Sequence, residues 1–344
     1  MYAEARRTGW SGAHSRTDID RLDDLVARYG APLLVLDPNK ARMRYRELQA
    51  TFPFVRFHYD ASALAHPAVI SAIAGCGGYF EVSEEGALAA VLGSKVDPVR
   101  VVHTHPVKHP QDLLAAYNAG VRLFVVDSQT EVEKFIGYPG DVAVILRLRF
   151  PDAREAQVPA IVRGVAIDEA ASAVRFAHSL GVKIDGFSLY LGRRRGAQPY
   201  AAAIARTLGL MVELENALGC RFDVLDLGSD FPTAAHGSAV ELAEVARAVR
   251  TMLLPLADRL TLLAEPGRLV ASRCLTLVTE SSRAAVDPVE ASESIDAGAT
   301  LIVVDGQQDE SGPFFRILAD TRHRIFHTGR HSGRQSIQTR AAAG

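Results

Sequence analysis

The sequence contains no uninterrupted apolar run approaching the ~18 residues of a membrane span, so a bilayer-crossing helix is not expected. Residues 1–20 are polar, carry Arg6, Arg7 and Arg16, and lack the apolar stretch of a secretory signal. Cysteine is scarce. Cys76, Cys220 and Cys274 are far apart and show no C-x-x-C spacing, which argues against a disulfide framework or a zinc cluster and for a reduced, cytoplasmic setting. An excess of either charge is also missing, with 38 Lys+Arg against 40 Asp+Glu. No overall field therefore recruits nucleic acid or anionic lipid, and the expected partner is a small molecule or another protein. Neither an internal repeat nor a low-complexity linker is found.

What the chain does contain is alternation. Its 344 residues suit a barrel of about 250 residues plus one small domain. Short β-branched runs at 32–36, 55–60, 78–82, 100–104, 122–126, 142–149, 184–190, 222–227 and 260–264 read as strands. Between them lie helical patterns such as 110–119, 168–180 and 241–256. Repeated β-α units of this kind predict a (β/α)8 TIM barrel in the α/β class. Nine strands are one too many for a closed barrel, and the first is available to a second unit. After Arg268 the pattern changes, because 269–279 and 299–305 read as strands without an amphipathic helix between them. The expected organisation is an N-terminal extension at 1–28, a leading strand and helix at 29–54, the barrel at 55–268, a truncated C-terminal β domain at 269–326 and a flexible tail at 327–344.

Barrel active sites lie at the carboxyl ends of the strands. His58 and Asp60 end one strand, His103 and His105 another, and Tyr190 a third, while Gly228-Ser229-Asp230 and Glu265 to Arg268 follow two more. The order of motifs resembles the pyridoxal-phosphate-dependent ornithine/diaminopimelate/arginine decarboxylases, which have the alanine racemase-like fold. Tyr29-Gly30-Ala31-Pro32-Leu33, Phe80-Glu81-Val82 with Gly86 and Leu88, His105-Pro106-Val107-Lys108, Val126-Asp127-Ser128, Leu225-Asp226-Leu227-Gly228 with Phe231-Pro232, and Asp305-Gly306 carry the resemblance. Glu265-Pro266-Gly267-Arg268 is its most specific part. The resemblance implies that Glu265 faces a pyridine nitrogen, that Arg268 and Gly228 help hold a phosphate, and that Tyr190 stands where a histidine stacks on the ring.

It also implies a Schiff-base lysine at position 60, where this sequence has aspartate, and a carboxylate cannot condense with an aldehyde. Ser229 and Asp230 replace phosphate-loop glycines, and Asp230 at ~5 Å from a dianion would cost several kcal/mol at an effective dielectric of ~20. The family's later strands, which bring a partner's cysteine and tyrosine to a shared site, are not expected after Asp320. Together these departures predict a degenerate homologue with no cofactor, or with weak residual binding of pyridoxal phosphate at Glu265, Arg268, Gly228 and Tyr190. Such a chain suits a non-catalytic role, as a homodimer or as a heterodimer with an active paralogue or pathway enzyme. The alternative is a repurposed enzyme acting on a small amine or amino-acid derivative at an acidic mouth, with His58, His105 and Tyr190 as candidate catalytic residues and His58, Asp60, His103 and His105 as candidate metal ligands. Histidines at strand ends also serve simply as hydrogen-bonding groups, and the Pro266-Gly267 turn has a structural duty of its own in redirecting the chain.

Overall fold

The computed structural model describes residues 16–30, 33–150, 163–192, 196–229, 239–271, 274–278, 300–309 and 312–322. The chain divides into two compact units, one comprising residues 42–270 and the other formed from residues 1–41 with 271–344.

In chain order the strands are β1 Leu33–Leu36, β2 Val55–Asp60, β3 Tyr79–Val82, β4 Val101–His103, β5 Leu123–Val126, β6 Ala143–Arg149, β7 Val165–Ala166, β8 Ile184–Tyr190, β9 Val224–Asp226, β10 Thr261–Ala264, β11 Leu275–Val278, β12 Thr300–Asp309 and β13 Gly312–Arg322. In the 42–270 unit the hydrogen-bonded order is β5-β4-β3-β2-β10-β9-β8-β6, and β5 also pairs with β6. The ring is therefore closed. β7 pairs only with the last two residues of β6, beyond the end of β5, leaving eight parallel strands in the barrel. These strands are rich in Val, Leu, Ile and Phe because both of their faces are buried, one in the barrel and one under helices.

Alternation along each strand divides those faces. Val102, Val125 and Ile145 form one cluster with Leu123 and Val224, filling the barrel interior. On the outside, the helix Pro67–Ala74 buries Val69, Ile70 and Ile73, and the helix Glu85–Gly93 buries Ala87, Leu88 and Val91. Tyr45, on the helix Pro38–Thr51, ties two strands together: its hydroxyl donates to the carbonyl of Phe57 at 2.5 Å and accepts from the N–H of Tyr79 at 3.2 Å. With the barrel centre packed by apolar side chains, a site must lie above it, at the strand ends.

In the other unit β1 lies between β11, to which it is antiparallel, and β12, to which it is parallel, while β12 and β13 form an antiparallel pair. The helix Arg16–Tyr29 lies within the stretch read as an extension. It buries Leu22 and Leu25 in a cluster with Leu33 and Val35, joined by Val26 and Tyr29. Gly30 ends it at φ +77°, donating back to Val26 in the left-handed conformation that glycine adopts without steric cost.

One sequence expectation is corrected here. Residues 269–279 are not a single strand, because Arg268–Ala271 is a helical turn and the strand begins only at Leu275. Hydrogen bonds from Val270 to Gly267 and from Cys274 to Ala271 close local turns after Pro266-Gly267, and those bonds outweigh the β-propensity of Leu269 and Val270. No disulfide joins Cys76, Cys220 and Cys274. Among the described residues no helix is long and apolar enough to cross a membrane. The proposed tail, with His327 and His331, lies outside the described residues, as do His323, Asp230 and Arg193 to Arg195.

Candidate active site

At the carboxyl ends of the ring a layer of charged side chains replaces the apolar ones. Asp60 ends β2 and is level with Glu81 of β3 in the strand register. Its Oδ1 accepts from the backbone N–H of Ser62 at 2.9 Å and from the Ser62 hydroxyl at 2.5 Å, capping the 3-10 turn Ala61–Ala63. Its other face lies over the turn after β10: a Cβ on Gly267 would stand 2.6 Å from Asp60 Oδ2, so only glycine fits beneath this carboxylate.

Glu81 is buried, accepts from the Thr104 hydroxyl and hydrogen-bonds Asp60. Burial, then the negative charge of Asp60, holds its carboxyl well above the ordinary value of 4.5. Across the barrel Asp226 takes the Ser188 hydroxyl at 2.5 Å and the Gly228 N–H at 2.9 Å. Gly228 has φ +77° and passes so close to β8 that a Cβ would lie 2.1 Å from the Leu189 carbonyl. Glu265 is only 4% exposed and hydrogen-bonds Asp226, yet no donor among the described residues reaches its Oε1. Burial, then Asp226 and Glu81, raises Glu265 well above 4.5; burial also raises Asp226, less strongly because Ser188 and Gly228 donate to it.

The counter-charges come from β6. Arg147 Nη1 reaches Asp127 Oδ1 at 2.9 Å and Oδ2 at 3.2 Å, and Nη2 reaches the Thr104 carbonyl at 3.3 Å. Burial works against its charge, but Asp127, Glu265 and Asp226 more than compensate and keep it firmly protonated. Arg149 lies two residues on, on the same side of β6 and level with Tyr190 in the register, with its buried Nε unpartnered among the described residues. Five carboxyl groups thus share this layer with two arginines, and their mutual charge adds to burial in holding protons on Glu81 and Glu265.

A carboxyl group with a raised folded-state pKa stabilises the fold fully below its unfolded value, and that contribution is lost as pH rises toward the folded value. Glu81→Gln mimics the protonated acid and can still accept from Thr104. Relative to the parent, this variant is expected to gain stability progressively as pH is raised above the ordinary 4.5, read from urea midpoints at pH 5 and pH 8. An unchanged difference between the two pH values would show that Glu81 titrates normally.

The candidate metal set is corrected. His58 lies inside the barrel against Tyr79, whereas His103 points outward, its ring 6.0 Å from that of Phe124. His105 turns its Nδ1 to the N–H of Val107 at 3.1 Å. Strand alternation separates these histidines, and no group of three or more His, Cys, Asp or Glu among the described residues could hold a metal. Burial lowers His58 to about 3 and His103 to about 4, so both are neutral near pH 7.

Lys108 is fully buried and does not offer a substitute amine. Its Nζ donates to the carbonyls of His105 at 2.8 Å and of Val125, with Glu131 at 3.9 Å. Burial pulls it down to about 8. Arg268 is exposed, and Tyr190 is half-buried at the end of β8. Arg147, Arg149, Thr104 and Ser188 were not among the sequence candidates. Two arginines spaced i, i+2 in the otherwise apolar β6 were the available signal.

A family profile described as the pyridoxal binding domain of pyridoxal-dependent decarboxylases matches residues 39–272. The chain belongs to this family. Among relatives of the pyridoxal-dependent decarboxylases, the lysine/ornithine decarboxylase of Selenomonas ruminantium is 26% identical over 257 residues, 74% of this chain and 65% of that protein. The chloroplastic ornithine decarboxylase of Nicotiana glauca is also 26% identical, and the match covers 57% of it. The ornithine decarboxylase of Caenorhabditis elegans is 26% identical over 317 residues, 90% of this chain and 74% of that one. The match thus spans less than two thirds of the first two relatives. The crystal structure of a lysine/ornithine decarboxylase from Vibrio vulnificus complexed with putrescine has the same fold, with a TM-score of 0.71 at 23% identity and 90% of each chain covered.

Membership overturns the expectation of no cofactor, because the matched segment is a pyridoxal binding domain. The side chains agree at the ring end, where the buried Glu265 Oε1 lacks a donor among the described residues and suits a protonated pyridine nitrogen. At position 60 they offer no amine.

Proposed function

We propose that this chain is a catalytically degenerate member of the pyridoxal-dependent decarboxylase family, which holds its B6 cofactor without a covalent link at position 60. It serves as a non-catalytic partner or regulatory subunit of a biosynthetic enzyme, acting in the cytoplasm as a homodimer or paired with an active paralogue. The observation that carries this reading is the engagement of Asp60, which caps the turn after β2 and hydrogen-bonds Glu81 where the family resemblance calls for a lysine. The nearby Lys108 is occupied by backbone carbonyls. The relatives named as ornithine and lysine decarboxylases point to diamino-acid metabolism as the setting.

The test is to incubate the purified chain with pyridoxal phosphate, reduce with borohydride, map adducts by peptide mass spectrometry, and assay decarboxylation of ornithine and lysine. Adducts confined to scattered surface lysines and no carbon dioxide release are expected. A stoichiometric adduct on one interior lysine, with turnover, would remove the proposal.

A further inference from the structure

The acidic layer at the strand ends offers a charge by which B6 ligands can be told apart. Asp60, Glu81, Asp226 and Glu265 converge on one layer, where Arg147 is already engaged by Asp127. An independent feature points to a ligand: Glu265 Oε1 is buried and receives no hydrogen bond from the described residues. The matched segment is a pyridoxal binding domain, so the ligand class is a substituted pyridine. The members of that class differ at the 4′ position, which carries a neutral aldehyde, a neutral alcohol or a cationic amine. A neutral 4′ group leaves the buried Glu81 holding its proton beside Asp60, whereas an ammonium supplies a positive charge and donors to both carboxyl groups.

We infer that the chain binds the amine form, pyridoxamine 5′-phosphate, in preference to the aldehyde and alcohol forms, with Asp60 and Glu81 receiving the 4′-ammonium and Glu265 the protonated ring nitrogen. The inference rests on the reading of a cofactor held without a covalent link. It describes reversible binding, in which no bond forms or breaks.

Calorimetric titration of the full chain with pyridoxamine 5′-phosphate and with pyridoxine 5′-phosphate isolates the charge, because the two ligands differ only in amine against alcohol. The amine is expected to bind about tenfold to a hundredfold more tightly, as suits a charge-assisted contact in a buried site. Asp60→Asn keeps an oxygen for the Ser62 N–H, so the cap and the fold should persist while the preference shrinks severalfold. Equal affinities, tighter alcohol binding, no binding of either ligand, or a preference unchanged in Asp60→Asn would each overturn the inference. A covalent pyridoxal adduct on an interior lysine would instead sink the reading beneath it, so the two failures are distinguishable.

Discussion

Asp60→Lys is expected to gain an absorbance band near about 400 nm with pyridoxal phosphate and a borohydride-stable adduct at residue 60, both absent from the parent. The substitution places an amine at the end of β2, on the inner side of the ring and level with Glu81. Two effects favour it. The lysine replaces a negative neighbour of Glu81 by a positive one, so Glu81 loses part of the reason for holding its proton and becomes an ion-pair partner. Glu265 Oε1, without a donor among the described residues, remains free to accept from the ring nitrogen. One effect opposes it, since losing the side-chain cap to Ser62 costs about 1 kcal/mol. Far-ultraviolet circular dichroism should show the variant folded. A folded variant with neither band nor adduct would mean that residue 60 is not what prevents covalent attachment.

Arg147→Met is the substitution with the largest expected cost to the fold. Arg147 is 6% exposed, bonds both oxygens of Asp127 and the Thr104 carbonyl, and faces Glu265 and Asp226. Removing it leaves buried acids without their counter-charge, a loss of about 3–5 kcal/mol in urea unfolding. The deficit should grow with rising pH, because the remaining carboxyl groups stay neutral more readily in acid. Arg175→Met is the control. Arg175 pairs with Glu213 at 3.5 Å, but the two side chains are 50% and 62% exposed, so about 1 kcal/mol or less is expected from the ion pair. Similar losses in the two variants would show that the acidic layer does not depend on Arg147.

The barrel was legible in the sequence because its strands are short, β-branched and set apart by helical periods. Val55–Asp60 and Ile184–Tyr190 coincide with the residues read as strands. β7, with only two residues, carries no periodicity to detect. The site was half legible. Glu81, Asp60 and Glu265 were placed at the mouth by motif order, but the direction of each side chain needed strict alternation, which puts Val102 inside and His103 outside. Arg147 and Arg149 were passed over because an arginine in a strand is ordinarily solvent-facing; only closure of the ring shows that theirs is an interior face. The capping role of Asp60 was available from Asp-Ala-Ser, a common opening for a helical turn.

β1 occupies the middle of a sheet whose other members come from the far end of the chain: Leu33 sits opposite Val278 on one side and Thr300 on the other. On the ribosome, β1 keeps both rows of its backbone donors and acceptors unmatched until β11 and β12 have been synthesised. Pairings of such long sequence separation form late. The barrel can therefore close while its companion unit is still waiting for a central strand's neighbours, and that interval is when a nascent chain is most exposed to adopting another molecule's edge.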